Sequence, residues 1–226
     1  MKKLLHFAGS SLQLLPKRSV KLEETMKKLA ILISSAGKGT NLLAILTAIE
    51  KKELSAKVAV VICDSNTAPG LTYAKEHHVP THIFDSKIES LETILTKTYP
   101  VDYILLSGWK KIISDKLIQT FPNKILNIHP GLIPDTLDSI VKNPDGTDAL
   151  WNRGKFTNVA IQNFLDTHAT YAGSTLHFLS NEFDFGEVLD RCFEKIRSGD
   201  TVESLYTRLK QKENTMYVDI LKKLCE

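Results

Sequence analysis

An open, doubly wound α/β sheet, mostly parallel and with helices on both faces, is the fold this sequence predicts. From Leu29 onward apolar runs alternate with amphipathic stretches, and alternation of strand and helix favours parallel strands joined by right-handed crossovers. The runs are continuous in Val, Ile and Leu, as strands buried on both faces require. No internal repeat or low-complexity tract breaks the pattern, so residues 27–226 read as one continuous domain.

Taken in order, Leu29 to Ile33 is a strand and Leu42 to Glu50 a helix. Val58 to Cys63 is the second strand, Leu71 to His78 a short helix, and Thr81 to Phe84 the third strand. Leu91 to Thr98 gives a helix, Tyr103 to Leu106 a strand, Ser114 to Phe121 a helix, and Lys124 to Ile128 a fifth strand. A polar stretch, 135–156, follows, with Asn143-Pro144-Asp145-Gly146 as its turn. A helix from Asn158 to Asp166, strands from Thr175 to Leu179 and from Val188 to Ile196, and a helix from Val202 to Cys225 complete the chain.

Composition narrows the function. A chain of 226 residues buries a core without metals or disulfides. Its 42% hydrophobic and 24% charged content is that of a water-soluble globular protein. A formal charge of +3 gives no reason to expect a nucleic-acid partner. Cys63, Cys192 and Cys225 are widely spaced and lack a zinc-like His or Cys neighbourhood, which predicts reduced thiols, no metal and a cytoplasmic setting. No apolar run reaches the roughly 18 residues of a membrane span. Residues 1–26 read as a poorly ordered extension. Lys2-Lys3-Leu4-Leu5 resembles a signal start, but Gln13, Lys17 and Arg18 interrupt the apolar region.

In an open α/β sheet ligands bind beyond the carboxyl ends of the strands. The loop from Ser34, the Ser107-Gly108-Trp109 loop and the Asn127 to Pro130 segment all follow strands, so they gather on that edge. Asn127 and His129, two apart on an extended segment, share a face, and Pro130 and Pro134 stop the strand and stiffen the loop beyond it. An amide and an imidazole held together can polarise a carbonyl and move a proton. Alone, the pair reads rather as an edge-strand Asn and a His satisfied by neighbouring backbone.

The run Asn127-Ile128-His129-Pro130-Gly131-Leu132-Ile133-Pro134 resembles the Asn-Ile-His-Pro-Ser-Leu-Leu-Pro signature of the folate-dependent formyltransferases, among them the glycinamide ribonucleotide (GAR) transformylases of purine synthesis. Gly131 stands where that signature has Ser. Gly173-Ser174-Thr175-Leu176-His177-Phe178, followed by Asn181-Glu182-Phe183-Asp184-Phe185-Gly186, is similar to the family's Gly-x-x-Val-His-Phe…Asp-x-Gly segment. The resemblance implies that Asn127, His129 and Asp184 are catalytic and that His177 supports them. In isolation Asp184 reads as a turn carboxylate and His177 as a core residue.

Further carry-over concerns the ligands. Ser34 to Asn41 resembles the Ser-Gly-x-Gly-Ser-Asn-Leu loop that holds the ribonucleotide phosphate, which places Gly39, Thr40 and Asn41 on that phosphate; a tight turn with Thr40 or Asn41 capping the helix is the other reading. Ser107 to Ile113 resembles the loop between the two ligands, implying Gly108 against the substrate and Trp109, Lys111, Ile112 and Ile113, with Asn181, around the folate. Lys210 and Glu213 match residues that reach the ribonucleotide, or form an i,i+3 pair on a solvated helix face.

What the resemblance implies as a whole is formyl transfer from 10-formyltetrahydrofolate to the GAR amine, without metal, by a monomer or homodimer that binds neither nucleic acid nor membrane. Two departures besides Gly131 bear on the acceptor. The connection from Phe84 to Ile94 offers Lys87 where those enzymes carry an Arg, and the stretch 135–156 replaces a shorter loop at the site entrance. An N-formyltransferase acting on a nucleotide-linked amino sugar and a formyltetrahydrofolate hydrolase therefore stand as alternatives. A methionyl-tRNA formyltransferase would need a further C-terminal domain and a more basic surface. A nucleotide-binding module without turnover is the non-enzymatic alternative.

Overall fold

Each apolar run read as a strand forms one. The computed structural model describes residues 26–35 and 37–226, and its seven strands form one sheet in the order β3-β2-β1-β4-β5-β6-β7. The strands are β1 (Lys27–Ile33), β2 (Ala56–Cys63), β3 (Thr81–Ile83), β4 (Tyr103–Leu106), β5 (Ile125–His129), β6 (Tyr171–Phe178) and β7 (Val188–Lys195). β1 to β5 pair in parallel, and β6 and β7 add an antiparallel edge. The extension expected at residues 1–26 lies outside the described residues except for Met26.

Helices cover both faces. They are α1 (Thr40–Glu50), α2 (Gly70–Glu76), α3 (Leu91–Thr93), α4 (Asp115–Thr120), α5 (Thr157–Asp166) and α6 (Val202–Cys225). Along β1, Leu29, Ile31 and Ile33 pack with residues of α1 and α6, while Ala30 and Leu32 pack with residues of α3 and α4. All five are at most 2% exposed, and burying an aliphatic side chain of Leu or Ile size contributes about 1.5–3 kcal/mol. That two-sided burial is why the run is continuous rather than alternating.

Two elements differ from the sequence reading by more than end shifts of one or two residues. The helix expected over Leu91 to Thr98 becomes π-helical over Ile94–Thr98, where the Tyr99 N–H bonds the Ile94 carbonyl at 2.7 Å; the wider turn accompanies burial of both Ile94 and Leu95. β6 starts at Tyr171, ahead of the expected Thr175. Small residues there, Ala172, Gly173 and Ser174, carry little strand propensity, and pairing with Cys192 to Lys195 of β7 makes them extended.

The strand order reverses between β1 and β4, so the loops that leave them diverge and open a crevice. The Lys110 N–H donates to Ser34 Oγ across it at 3.0 Å. The stretch 135–156 is an ordered excursion. Its expected turn forms, with Gly146 N–H to the Asn143 carbonyl at 2.9 Å, and Ala149 N–H closes on the Val141 carbonyl at 2.9 Å. Arg191 of β7 holds its start through the Ile133 carbonyl at 2.6 Å and the Asp135 carboxylate at 2.7 Å. No helix among the described residues is long and apolar enough to cross a membrane.

Candidate active site

β5 carries Asn127 and His129 to the carboxyl edge, and the antiparallel partner β6 sets His177 beside Asn127 and Thr175 beside His129. His177 is fully buried, and desolvation together with the nearby His129 lowers its pKa to about 4, so the ring is neutral. A carbonyl only accepts, so Nδ1–H donates to the Phe178 carbonyl at 3.0 Å. Nε2 is then the acceptor for the Asn127 amide N–H at 3.1 Å. One amide hydrogen of Asn127 is thereby committed and the other remains for a ligand.

The same reasoning fixes His129. It is 2% exposed, and its Nε2–H donates to the Trp151 carbonyl at 2.7 Å. Nδ1 faces Asp184, whose Oδ1 lies 3.6 Å away. Asp184 has φ 49°, a left-handed conformation that Asp tolerates better than most residues. Burial pushes its carboxyl up, but the His129 ring and the Gly154 N–H at 2.7 Å outweigh it and hold the pKa below the ordinary value. Gly186 completes the turn, since a Cβ there would lie 2.0 Å from the Phe178 carbonyl oxygen.

A second group forms where α1 meets α6. Gly39 is the N-cap of α1 and no side chain caps the helix, so neither Thr40 nor Asn41 plays the capping role. Lys210 donates to Asn41 Oδ1 and, at 2.7 Å, to Glu213 Oε2. Ser174 of β6 donates to Glu213 Oε1 at 2.6 Å. Glu213 is 3% exposed, which excludes the solvated-face reading of the i,i+3 pair. Burial opposes the Lys210 charge, yet Glu213 and Tyr206 outweigh it and raise the pKa, keeping the ammonium charged. Among the described residues, Asn41 Nδ2 is buried without a hydrogen-bond partner. Uncapped helix N–H groups, the Lys210 ammonium and the Asn41 Nδ2–H thus lie together at one end of α1, and such a donor set has the chemistry to hold an anion.

The loop after β4 is less gathered. Trp109 packs against Phe84 with ring centroids 5.9 Å apart, joining the core cluster that includes Ile113, and its buried indole N–H has no partner among the described residues. Gly108 and Lys111 are exposed, and Ile112 is 92% exposed. Asn181 is also exposed on the turn before Asp184. Trp151, Asn152 and Gly154 escape sequence reasoning although they touch or adjoin the His129–Asp184 pair. The signal that could have found them is Gly131, because a small residue at a Ser position marks close approach of another backbone.

With this geometry in place, the comparisons with known proteins are specific. The family model described as formyl transferase matches residues 27–221. The chain belongs to the formyl transferase family. This formyl transferase is 31% identical over 205 residues to phosphoribosylglycinamide formyltransferase of Haemophilus influenzae, covering 87% of this chain and 86% of that protein. It is 29% identical over 212 residues to the chloroplastic phosphoribosylglycinamide formyltransferase of Arabidopsis thaliana, covering 90% of this chain and 67% of that longer protein. The crystal structure of glycinamide ribonucleotide transformylase 1 from Geobacillus kaustophilus superposes with a TM-score of 0.71 at 29% identity, over 89% of this chain and 100% of that one.

Proposed function

We propose that this formyl transferase moves the formyl group of 10-formyltetrahydrofolate onto the amine of GAR, in purine synthesis. The observation that carries the reading is the convergence of Asn127, His129 and Asp184 at the end of β5, with an anion cradle at the N-terminus of α1. Relatives named for the same reaction support it.

The substrate amine attacks the formyl carbon, and the formyl oxygen becomes an oxyanion. The uncommitted amide hydrogen of Asn127 donates to it, as does His129 Nδ1–H, because Nε2–H is occupied by Trp151. An imidazolium beside the Asp184 carboxylate makes that second bond charge-assisted. The amine gives up a proton to Asp184 through water, the bond from carbon to the folate nitrogen breaks, and Asp184 returns that proton through the water to the departing nitrogen. His177 holds the Asn127 amide in register. The GAR phosphate lies on Gly39, Thr40 and Asn41, and Lys210 and Glu213 reach the ribose side. Asn41 Nδ2, buried and unpartnered, is a donor that such a ligand satisfies.

Folate contacts belong to Trp109, Lys111, Ile112, Ile113 and Asn181, with Gly108 between the ligands. We place the reaction in the cytoplasm of the cell, on a monomer or homodimer, in keeping with the free thiols of Cys63, Cys192 and Cys225.

The test follows release of deformylated folate by absorbance with GAR, with a nucleotide-linked amino sugar, and with neither. Turnover dependent on GAR is expected, and Asp184→Asn should lower kcat by about 100-fold or more while leaving both ligands bound. Turnover only with the amino sugar, or only with water as acceptor, overturns the acceptor assignment. Unchanged turnover in Asp184→Asn overturns the proton relay.

A further inference from the structure

Residues 150–154, at the end of the excursion, lie across the catalytic pair: their hydrogen bonds to the two side chains come from main chain, and the Trp151 indole N–H donates to the Asp184 carbonyl at 3.1 Å. The Trp151 carbonyl accepts from His129 Nε2 at 2.7 Å, and the Gly154 N–H donates to Asp184 Oδ2 at 2.7 Å. Between these two residues stands Asn152, 5% exposed and with φ 58°. Its amide N–H groups donate to the Pro130 carbonyl and to the Ala160 carbonyl, each at 3.2 Å, and its Oδ1 accepts from Asn163 Nδ2 at 2.7 Å. One short side chain thus ties the strap to the signature loop after β5 and to α5.

Gly131 is the matching surface. A Cβ there would lie 1.8 Å from the Trp151 carbonyl oxygen and 3.0 Å from Asn152 Cβ. Residue 131 and the strap interlock, and a larger residue at 131 would push away the carbonyl that holds His129. Asn suits position 152 because it tolerates the left-handed backbone and supplies both donors and an acceptor within two carbons of the main chain.

We propose that Asn152 is a positioning residue for formyl transfer: it seats the Trp151 carbonyl on His129 and the Gly154 N–H on Asp184, with Gly131 providing the room. The consequence is a fixed ring state. With Nε2–H held by the strap, Nδ1 is the nitrogen left to face Asp184 and the reacting carbonyl. When the strap is released, Nε2–H loses its acceptor and exchanges with solvent, and Nδ1 loses its fixed direction. The kinetic part rests on the formyl-transfer reading, whereas the ring state does not.

The experiment labels histidine with 15N and compares the wild-type chain with Asn152→Gly, which keeps the left-handed backbone, and Gly131→Ala, which pushes from the opposite side. At one pH the wild-type His129 should give an Nε2-bound proton signal protected from exchange with solvent, and both variants should lose that protection. In both, kcat should fall about 100-fold, with KM for each substrate changed by less than about twofold, because reacting groups misplaced by about 1 Å lose that much. Asn163→Ala, which removes only the Oδ1 contact, should give a smaller shift of the same kind and covers the case in which the other two fail to fold. Variants that lower the melting temperature but keep the wild-type ring signals and kcat would show a purely structural strap and overturn the proposal. Absence of GAR-dependent turnover in the wild-type chain would overturn the acceptor assignment while leaving the ring-state result to stand or fall alone.

Discussion

At the scale of single residues, the site works by committing hydrogens. Neutral His177 takes one amide hydrogen of Asn127, and the Trp151 carbonyl takes one ring hydrogen of His129, so each catalytic group is left with a single direction in which to donate. His177 carries a measurable penalty for this arrangement. Its pKa falls from 6.5 to about 4 because burial and the neighbouring His129 disfavour its charge. Below pH 6.5 the unfolded chain protonates this ring while the folded chain refuses the proton until about pH 4. The stability contribution is therefore complete above pH 6.5 and is lost as the pH falls toward 4, by about 3 kcal/mol across that window. Urea unfolding between pH 7 and pH 4 should show the loss, and His177→Gln, uncharged throughout, should flatten that part of the curve. An identical slope in the variant would show that the ring does not stay neutral in the fold.

At the scale of elements, α6 joins the anion cradle to the sheet. Lys210 and Glu213, one turn apart, meet Asn41 of α1 and Ser174 of β6 in a buried cluster. Lys210→Met leaves the Glu213 carboxylate buried with only the Ser174 hydroxyl, which costs about 3–5 kcal/mol. Adding Glu213→Gln removes the orphaned charge and should recover most of the melting temperature. It should not recover the ribonucleotide: KM for GAR should stay raised about 10-fold or more in the double variant, since a charged hydrogen bond contributes about 1.5–3 kcal/mol. A double variant with wild-type KM would remove Lys210 and Glu213 from the acceptor site. Much of this was legible in the sequence, because the strands are continuous apolar runs and the Asn127, His129 and Asp184 motifs sit at the ends of elements. Less legible were contacts made by main chain. The Trp151 carbonyl and Gly154 N–H depend on where the backbone passes, which residue types do not encode, and only Gly131 hinted at the approach. The packing of Trp109 against Phe84 was likewise not legible, because it depends on which side chains the two loops bring together.

At the scale of the whole molecule, the question is whether the excursion over residues 135–156 folds as part of the domain or as an appendage. The chain has two tryptophans, and they divide the problem: Trp109 belongs to the cluster under α3 and α4, whereas Trp151 lies on the strap. Trp109→Phe leaves fluorescence reporting the strap, and Trp151→Phe leaves it reporting the core, keeping the main-chain carbonyl that holds His129 but removing the indole hydrogen bond to the Asp184 carbonyl. The strap is tied to the signature loop by Asn152, to β5 through His129 and to the turn after β6 through Asp184 and Arg153, whose Nε donates to the Phe183 carbonyl at 3.0 Å. Opening it breaks several polar contacts at once, those of His129 and Asn152 at least half-buried, so its local unfolding free energy should approach the global value. The two single-tryptophan variants should therefore give urea midpoints that coincide once referred to their own far-ultraviolet circular dichroism transitions. A Trp151 transition that precedes loss of secondary structure would mean that the strap opens by itself. The catalytic pair would then be assembled only in the closed fraction, and kcat should fall at urea concentrations where the sheet is still intact.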